Sequence, residues 1–582
     1  MTGPGGDKWR AATHRLDQLD SRWVGVVALI IAMGISAALL LWLERDALFA
    51  SDEWAWIYIS GTGSLSDTLH PINQHLMVVP LLIFKAFLSI WGVSMLPFKL
   101  AEIVGVLACS WLVYVYSRRR LGPILALAPA MMPLFFGTAT SIVLQPLIGV
   151  QLIYAVSFGL AALIAVEQDE RRWDVAAALL LCLSVSCYSS GLAFLAGVTV
   201  AVLLDKRRSQ RAFVFLIPLV FYLAVRIWGL QFGTGGSPSI ANVPILPFYF
   251  VDALAATTTS LFGRGSIVGN GPGTSLFLGP GFSLEAATTT LVFATLEVVV
   301  IVYAARRIHG RGGIPVTLWA VLAVLVTLWT LQGLVLTDGR TPGENRYLYS
   351  GAVVLLLVVV EVARSPRLSR LGVVLVLALA VAGIAGNLPR FREGRDGIVL
   401  HSTTGRAYAA AMELAGSDAD PSFNPVIDTP EAATAGVLNF SAQAYEELRE
   451  RYGSFAYSLP ELYAQSEEVR HGADEVMTSM LRLQLTDVPS LSRRSCFGVE
   501  SAGAGELVEL PRGGAVLSAD GDTPVSLRRF ADREVVPLGE LSSGRPTELA
   551  IPSDRARPWE LWALDPVDLT VCPPPRGKQS QG

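Results

Sequence analysis

The sequence predicts a polytopic α-helical membrane protein with a soluble α+β domain at its C-terminal end. Three observations predict this class. Only 16% of the 582 residues are charged, against about 25% in an ordinary soluble protein. Runs of roughly 20 apolar residues, long enough to span a bilayer as helices, recur through the first two thirds of the chain. From residue 389 onward the chain is charged and rich in Pro and Gly, as expected of a separate soluble domain.

The apolar runs predict about eleven transmembrane helices. The first run, residues 23–43, is too long for the core of a signal peptide and lacks a small-residue cleavage site, so we expect a retained helix. The run at residues 78–92 is short and contains Lys85, and we expect it to lie as a helix in the outer interface. The other predicted crossings are residues 97–117, 122–137, 145–166, 173–189, 190–204, 212–228, 286–305, 314–336, 346–363 and 371–388.

Clusters of basic residues set the expected orientation, because short loops rich in Lys and Arg stay in the cytoplasm. Placing every cluster inside requires an even number of crossings between neighbouring clusters, and the predicted helices supply it. The N-terminal segment 1–22 is then cytoplasmic, and the domain at residues 389–582 is extracytoplasmic. The five clusters are residues 118–120, 171–172, 206–211, 306–311 and 364–370.

The predicted topology divides the chain into a transmembrane domain and an exported domain. The transmembrane domain covers residues 23–388 and has outer loops at residues 44–96 and 229–285. The exported domain begins with a helical half, residues 389–490, in which apolar residues recur at three- and four-residue spacing. Its second half, residues 494–573, alternates apolar and polar residues between Gly, Pro and Asp turns, which predicts a small β-sandwich or jelly roll.

The five cysteines fall into two groups. Cys109, Cys182 and Cys187 lie within predicted crossings, where a cysteine behaves as a small apolar residue. Cys496 and Cys572 are the two in the predicted exported domain, and an extracytoplasmic compartment permits disulfides. We therefore predict a Cys496–Cys572 bond, which would stabilise the domain by roughly 4 kcal/mol.

Polar residues that could take part in catalysis or in binding cluster in the first outer loop. Asp52 and Glu53 follow the first crossing, and His70, Asn73 and His75 come later in the same loop. The two histidines and the amide could ligate a divalent cation, contact a phosphate or a sugar, or order the loop. The spacing matches no zinc signature, so the metal remains one alternative among three.

Two further outer segments place costly polar groups at the membrane surface. Arg226 stands at the outer end of an apolar crossing, where a guanidinium either grips an anion or reaches the lipid headgroups. Glu344, Arg346 and Tyr347 stand at the outer start of a later crossing, a position that also suits an interface anchor. Glu102 lies a few residues into an apolar run, with a nearby lysine as its candidate partner.

These features together resemble a known family. An acidic pair after the first transmembrane helix, an interfacial helix in the same loop, many crossings and a soluble C-terminal domain resemble the GT-C glycosyltransferases, which use polyprenyl-phosphate-linked sugars. The Asp-Glu order resembles that of protein O-mannosyltransferases. The stretches HPINQHLMVVPLLIFKAFLSIWG, SCYSSGLAFLAG and ENRYLYSGAVVLLL resemble actinobacterial members of the superfamily. The resemblance covers roughly residues 20–390.

The resemblance implies transfer of a hexose or a pentose from a polyprenyl-phosphate donor to a cell-envelope glycan, lipid or protein, on the outer face of the cell membrane. It makes Asp52 the general base that takes the proton from the acceptor hydroxyl, with Glu53 as a second carboxylate that orients the acceptor or a cation. Arg226 would bind the lipid phosphate, and Arg346 and Tyr347 would lie near the same group.

Several other functions are excluded or less favoured. The sequence contains no Walker A loop, no dinucleotide-binding glycine motif, no nucleophile elbow and no CxxC pair, and it shows no basic face for nucleic acid. Two alternatives to the transferase are a transporter or flippase for a lipid-linked glycan, and a non-catalytic assembly protein with the GT-C fold. The transporter is less favoured, because the middle of the crossings carries few ionisable groups.

Overall fold

The structure is a computed structural model, and the chain divides into two compact units. The membrane unit comprises Met1–Asp46, Gly63–Phe87 and Met95–Asp396, and the C-terminal unit comprises Ala47–Thr62, Leu88–Ser94 and Gly397–Gly582. The structure describes residues 5–50, 52–72, 75–232, 238–264, 306, 314–336, 341–366, 368–428, 441–490, 495–502 and 507–574.

Most of the described residues are helical. In chain order the described helices are α1 (Gly5–Leu43), α2 (Glu53–Thr62), α3 (Val78–Trp91), α4 (Leu96–Leu121), α5 (Leu127–Met131), α6 (Thr140–Val143), α7 (Pro146–Val166), α8 (Arg171–Cys187), α9 (Ser190–Leu203), α10 (Arg208–Arg211), α11 (Phe213–Gly229), α12 (Leu246–Ser260), α13 (Val316–Leu334), α14 (Asn345–Val362), α15 (Arg370–Ala415), α16 (Pro425–Asp428), α17 (Ala442–Tyr452), α18 (Leu459–Tyr463) and α19 (Glu467–Met480).

Within the described ranges, eight helical segments are long and apolar enough to cross a membrane. Large apolar side chains on them are exposed, among them Ile30 at 56%, Ile31 at 58% and Leu375 at 60%. Such surface is unfavourable in water and suits lipid, so the chain is a multi-pass membrane protein as predicted. The segments are Trp23–Leu43, Leu96–Leu121, Pro146–Val166, Arg208–Gly229, Ile240–Ser260, Val316–Leu334, Asn345–Val362 and Arg370–Asp418.

One of these segments, Ile240–Ser260, lies within residues 229–285, which we expect to be an outer loop. The helix α12 packs along two transmembrane helices, with Leu246 against Gly333 of α13 and Thr257 against Gly351 of α14. Its polar residues, including Asp252, are buried between helices. These inward-facing polar residues lower the mean hydropathy of the run. The crossings predicted from the sequence therefore did not include α12.

Three other expected crossings also differ from long continuous helices. Residues 122–137 are interrupted by Pro129 and Pro133, and the chain there forms α5, two 3₁₀ turns and α6. Residues 173–189 and 190–204 form α8 and α9, which are 17 and 14 residues long. The expected crossing at residues 286–305 lies outside the described residues.

A buried asparagine satisfies the irregular backbone that follows α5. Asn387 Oδ1 accepts a hydrogen bond from the Thr138 backbone amide at 2.9 Å, and its Nδ2 donates to the carbonyls of Ser260 at 3.1 Å and Gly383 at 3.0 Å. Non-helical backbone at membrane depth is tolerated only where protein groups satisfy it. The interruption therefore lies inside the helix bundle.

Two boundaries also differ in detail from the expected ones. The helix α15 runs through the expected domain boundary at residues 388 and 389 as one element of 46 residues. The helix α3, expected in the interface, is 14 residues long. At 1.5 Å per residue it measures about 21 Å, which is short of the roughly 30 Å apolar core of a bilayer.

Four of the five basic clusters meet at one end of the membrane unit. Arg120 bonds with both Glu361 and Glu167, and Arg211 donates to Asp174 at 2.5 Å. Glu361 is fully buried and Arg120 nearly so, so each buried charge has an opposite charge beside it. These contacts bring together the clusters at residues 118–120, 171–172, 206–211 and 364–370. The fifth cluster, apart from residue 306, lies outside the described residues.

The C-terminal unit contains two antiparallel sheets, as expected of a β-sandwich. One has the strand order β1-β7-β4-β9-β2 and the other β3-β8-β5-β6. The strands are β1 (Leu485–Asp487), β2 (Phe497–Ala502), β3 (Leu507–Glu509), β4 (Gly514–Ala519), β5 (Thr523–Arg528), β6 (Val536–Leu541), β7 (Thr547–Ala550), β8 (Glu560–Ala563) and β9 (Val567–Cys572).

The predicted disulfide is confirmed. Cys496 and Cys572 are bonded, with their Cα atoms 4.1 Å apart. Cys496 immediately precedes β2 and Cys572 ends β9, and Phe497 pairs with Val571 in the ladder between these strands. The bond closes a segment with a sequence separation of 76 residues. A loop of this length corresponds to roughly 4 kcal/mol of stabilisation in the chain-entropy model.

A buried carboxylate connects the helical and the β-rich parts of the C-terminal unit. Asp474 of α19 is fully buried and accepts hydrogen bonds from the backbone amides of Arg529, Phe530 and Ala531, each at 3.0 Å. Burial raises the pKa of Asp474 to about 6, because desolvation of the charged form outweighs the three amide bonds. The loop after β5 is thereby held to α19.

We predict that the stability that the buried Asp474 contributes falls as pH rises. An acid whose folded pKa lies above its unfolded value holds its proton more tightly when folded, so its contribution to stability is largest below pH 4 and falls as pH rises to 6. A shift of about two pKa units corresponds to about 3 kcal/mol. The measurement is the hydrogen-exchange rate of the Arg529–Ala531 amides in the full chain, divided by the rate in an Asp474→Asn variant at the same pH. This ratio should therefore be larger at pH 7.5 than at pH 4.5. A pH-independent difference would contradict this account.

Candidate functional site

The two carboxylates of the acidic pair have different environments. Glu53 is fully buried, and its Oε2 accepts a hydrogen bond from the Ala50 amide at 2.9 Å, while its own amide donates to the Ala50 carbonyl at 3.1 Å. Glu53 thus closes the turn that begins α2, which gives it a structural role. Asp52 is exposed at the N-terminal end of the same helix. Of the pair, Asp52 is the carboxylate that an acceptor could reach.

Aromatic residues fix the start of α2 within the C-terminal unit. Trp54 is buried, and its ring centroid lies 5.5 Å from that of Phe49 and 5.3 Å from that of Phe455, in edge-to-face contacts. The Phe49 and Phe455 rings complete the triad at 6.2 Å. Such pairs each contribute about 0.5–1.5 kcal/mol beyond the area that they bury. The backbone that carries Asp52 is therefore held on both sides.

The segment that contains His70 and His75 forms a tight turn. Ile72 and His75 exchange two backbone hydrogen bonds, of 3.0 Å and 2.8 Å. Pro71 lies in this segment, and a proline disfavours a helix there, so the two histidine rings do not share one helix face. Asn73 lies outside the described residues.

Each histidine packs against a different helix end of the membrane unit. His75 Nδ1 lies 2.6 Å from Ser189 Oγ, and its ring stacks on Tyr188 with centroids 3.9 Å apart. The His70 ring lies 5.3 Å from that of Trp228, near the C-terminal end of α11. Both histidines therefore order the loop against the bundle, which favours the loop-ordering alternative over metal binding.

Three contact residues of this site were not singled out from the sequence. Tyr188 and Ser189 form the break between α8 and α9, and Trp228 is the penultimate residue of α11. The sequence signal for Tyr188 and Ser189 was a stretch of small polar residues and an aromatic residue between two apolar runs, SCYSSG. Nothing in the local pattern indicated which loop would cover that break.

Arg226 differs from the other buried arginines of the membrane unit. It is half-buried on α11, two residues before Trp228, and its Nη1 is shielded from solvent without a hydrogen-bond partner in the described part of the chain. Arg120 and Arg211, by contrast, each bond with carboxylates. A shielded guanidinium nitrogen without a partner is costly unless an anion binds there.

The third candidate segment lies at the start of α14. The Glu344 carbonyl accepts a hydrogen bond from the Tyr347 amide at 2.8 Å, and the Arg346 guanidinium lies 5.4 Å from the Tyr347 ring centroid. Glu344 is half-buried, and desolvation raises its pKa, although Arg346 opposes the shift. This segment presents a cation and an aromatic ring side by side.

The candidate residues are distributed over both units. Asp52 and Glu53 belong to the C-terminal unit, whereas His70, His75, Arg226 and the segment from Glu344 to Tyr347 belong to the membrane unit. Within the membrane unit, the turn joins His70 to the end of α11 that carries Arg226. The predicted convergence of Asp52 with Arg226 and Arg346 stays a prediction.

Metal binding receives no support from the described side chains. Among them no group of three or more His, Cys, Asp or Glu residues is arranged to hold a metal ion. The buried Glu102 contacts the helix α7 at Gly149, and Lys99 donates to the carbonyl of Glu44. A divalent cation stays a candidate ligand, and substrate or other residues would have to complete its coordination shell.

An apolar groove of about 300 Å³ lies elsewhere in the membrane unit. It is lined by apolar side chains that include Leu121, Pro366 and Leu368, next in sequence to the basic end of the unit. None of the candidate site residues lines it. This groove and the candidate chemistry are therefore separate.

No protein-family model matches the chain, and no curated protein matches it. Similar solved structures include the oligosaccharyltransferase of Archaeoglobus fulgidus tethered to an acceptor peptide, with 14% identity and a TM-score of 0.41 over 74% of this chain and 59% of that chain. They also include ArnT from Cupriavidus metallidurans, in the apo state with 12% identity and a TM-score of 0.42 over 78% of this chain and 91% of that chain.

The same ArnT bound to undecaprenyl phosphate has 13% identity and a TM-score of 0.40, over 68% of this chain and 81% of that chain. The chain thus spans less than two thirds of the oligosaccharyltransferase and most of ArnT. Both kinds of protein are GT-C glycosyltransferases, the superfamily that the sequence resembles.

We predict that His75 holds the turn in place. His75→Ala removes a hydrogen bond and an aromatic stack, which together contribute about 2 kcal/mol, so the backbone amides of residues 69–77 should exchange roughly 30-fold faster. Hydrogen-exchange mass spectrometry of the full chain in nanodiscs measures this. A His471→Ala variant in the C-terminal unit is the control and should leave these amides unchanged. Equal exchange in wild type and His75→Ala would show that the turn does not depend on this ring.

Proposed function

We propose that the chain is a membrane glycosyltransferase that transfers a hexose or a pentose from a polyprenyl-phosphate donor to a cell-envelope glycan, lipid or protein. The transfer takes place on the extracytoplasmic face of the membrane. Support comes from the multi-pass helical architecture with a soluble domain, from the resemblance of the acidic pair to that of GT-C enzymes, and from the chemistry of the candidate residues.

The observation that carries the proposal is the unpartnered nitrogen of Arg226. Within the described residues, Arg226 Nη1 is shielded and has no hydrogen-bond partner, on a helix that is otherwise apolar. A lipid-linked phosphate would supply the missing acceptor and the opposite charge at once. A guanidinium can hold two phosphate oxygens in parallel, which suits this site better than an ammonium would.

The proposed reaction assigns one step to each group. The acceptor hydroxyl attacks the anomeric carbon of the donor sugar as Asp52 takes its proton, and the bond from that carbon to the phosphate oxygen breaks. The polyprenyl phosphate leaves with the bonding electron pair, and Arg226 and Arg346 stabilise its charge. Displacement from the opposite face inverts the configuration at the anomeric carbon.

The transporter alternative receives less support from the described charges. Two buried ion pairs of the membrane unit, Arg120 with Glu361 and Arg211 with Asp174, lie at one end of the helix bundle. Paired charges at an end do not form a polar path through the membrane. The assembly-protein alternative is tested by the loss or retention of turnover in the variants below.

We predict that Asp52→Asn abolishes transfer. Removing a general base costs about 10²- to 10⁴-fold in rate, and Asp52 is exposed, so its loss should leave the fold intact. The assay measures release of undecaprenyl phosphate from undecaprenyl-phosphate hexose and pentose donors by the purified chain with a cell-envelope extract as acceptor. Asp46→Asn, which removes a half-exposed surface ion pair, is the matched control. Full turnover in Asp52→Asn would refute the proposed base.

We also predict that Arg226→Ala weakens binding of undecaprenyl phosphate. A hydrogen bond to a charged group contributes about 1.5–3 kcal/mol, so the dissociation constant should rise roughly 10- to 100-fold. Arg226→Lys should give an intermediate value, because it keeps the charge and loses the paired geometry. Titration followed by native mass spectrometry measures both. Arg172→Ala, at an exposed arginine of a basic cluster, is the control, and an equal loss of affinity there would argue against a specific site.

A further inference from the structure

The segment that carries the acidic pair is part of the C-terminal unit. Residues Ala47–Thr62, which follow the first transmembrane helix in sequence, cluster with the chain after residue 396 and not with the membrane unit. The sequence placed this segment in an outer loop of the transmembrane domain. Its contacts show which residues of the distant C-terminal part hold it.

The C-terminal end of α2 is held by the last turn of α17. The Gly61 carbonyl accepts hydrogen bonds from Arg451 Nη1 at 2.6 Å and from the Tyr452 hydroxyl at 2.9 Å. A carbonyl in the last turn of a helix has no partner within that helix, so these two donors satisfy a group that would otherwise need water. The contact is also close, because a Cβ at Gly61 would lie 2.8 Å from Tyr452 Cε2 and 3.0 Å from Leu448 Cδ2.

The N-terminal side and the middle of the segment are held as well. The Leu48 amide donates to the buried Ser402 Oγ at 2.7 Å, and the Tyr58 hydroxyl donates to Glu447 of α17 at 3.2 Å. Phe455, three residues after α17, completes the aromatic triad with Phe49 and Trp54. The segment therefore has anchors before α2, in the middle of α2 and at its C-terminal end, all from residues beyond 396.

We propose that the C-terminal unit positions the Asp52 carboxylate for catalysis, with Arg451 and Tyr452 as positioning residues. The inference rests on the proposed function, in which Asp52 is the base. In the described part of the chain no side chain bonds to the Asp52 carboxylate, so its location follows from the backbone of α2. A displacement of about 1 Å at a reacting group can cost about 100-fold in rate. The anchors of α2 therefore contribute directly to kcat.

The experiment compares variants of the full chain in nanodiscs by two independent readouts. The first is hydrogen exchange of the amides at residues 47–62, and the second is kcat and KM with the undecaprenyl-phosphate sugar donors. Arg451→Ala and Tyr452→Phe remove one donor each to Gly61, and Arg451→Lys keeps a donor. Arg449→Ala is the matched control, because Arg449 lies on the same helix and pairs only with Glu446 of that helix in the described residues.

We expect Arg451→Ala to speed exchange at residues 47–62 and to lower kcat by about 10- to 100-fold, while KM for the donor changes by less than about threefold. Tyr452→Phe should do the same to a smaller extent, Arg451→Lys should restore part of kcat, and Arg449→Ala should change neither readout. Unchanged exchange at β2 and β9 shows that the domain is still folded.

Other outcomes separate this inference from the proposed function. Faster exchange with an unchanged kcat, or unchanged exchange in Arg451→Ala, overturns the positioning role and leaves the transferase intact. Equal losses in Arg449→Ala and Arg451→Ala overturn it too, because the effect is then general destabilisation. Full turnover in Asp52→Asn refutes the proposed base, and the positioning inference fails with it.

Discussion

A charge buried among apolar helices must meet an opposite charge or a strong hydrogen-bonding group, and this constraint organises the membrane unit. Arg120 meets Glu361 and Glu167, and Arg211 meets Asp174, so the buried charges at one end of the unit neutralise each other. Arg226 differs from these pairs, because its Nη1 is shielded without a hydrogen-bond partner in the described part of the chain. The rule that explains the structural ion pairs therefore supports the proposal that Arg226 binds an anion.

The acidic pair shows how two adjacent carboxylates take different roles. Glu53 is buried against the backbone at Ala50 and begins a helix, while Asp52 one residue earlier is exposed. The helix that follows is held by α17 and by Phe455 of the C-terminal unit. A soluble domain that holds the base would couple two parts of the chain that are almost 400 residues apart in sequence.

The sequence predicted the class of the fold well, because hydropathy and cysteine placement are read directly from composition and pattern. The C-terminal β-domain and the Cys496–Cys572 bond follow from local alternation and from the compartment that the orientation implies. The helix α12 was missed because its polar residues, among them Asp252 and Thr257, face the interior of the bundle. The break after α5 was missed although Pro129 and Pro133 lie in the run, because the sequence does not show that the distant Asn387 would bond to the Thr138 amide.

The candidate site could be predicted only in part. The acidic pair, the histidines and Arg226 are noticeable in the sequence, because it costs free energy to place a polar group beside an apolar run. Their partners Tyr188, Ser189 and Trp228 do not stand out, because packing between distant loops leaves no local signal. The assignment of α2 to the C-terminal unit is of the same kind, since it depends on Arg451 and Tyr452.

The most direct measurement is a structure of the purified chain in nanodiscs with undecaprenyl phosphate bound, determined by electron cryo-microscopy. The account predicts that the phosphate lies within hydrogen-bonding distance, about 2.7–3.2 Å, of the Arg226 guanidinium. It also predicts that the Asp52 carboxylate faces the same cavity, with room between them for a sugar. A phosphate bound away from Arg226, or an Arg226 paired with a carboxylate of the chain while the lipid is bound, would contradict it.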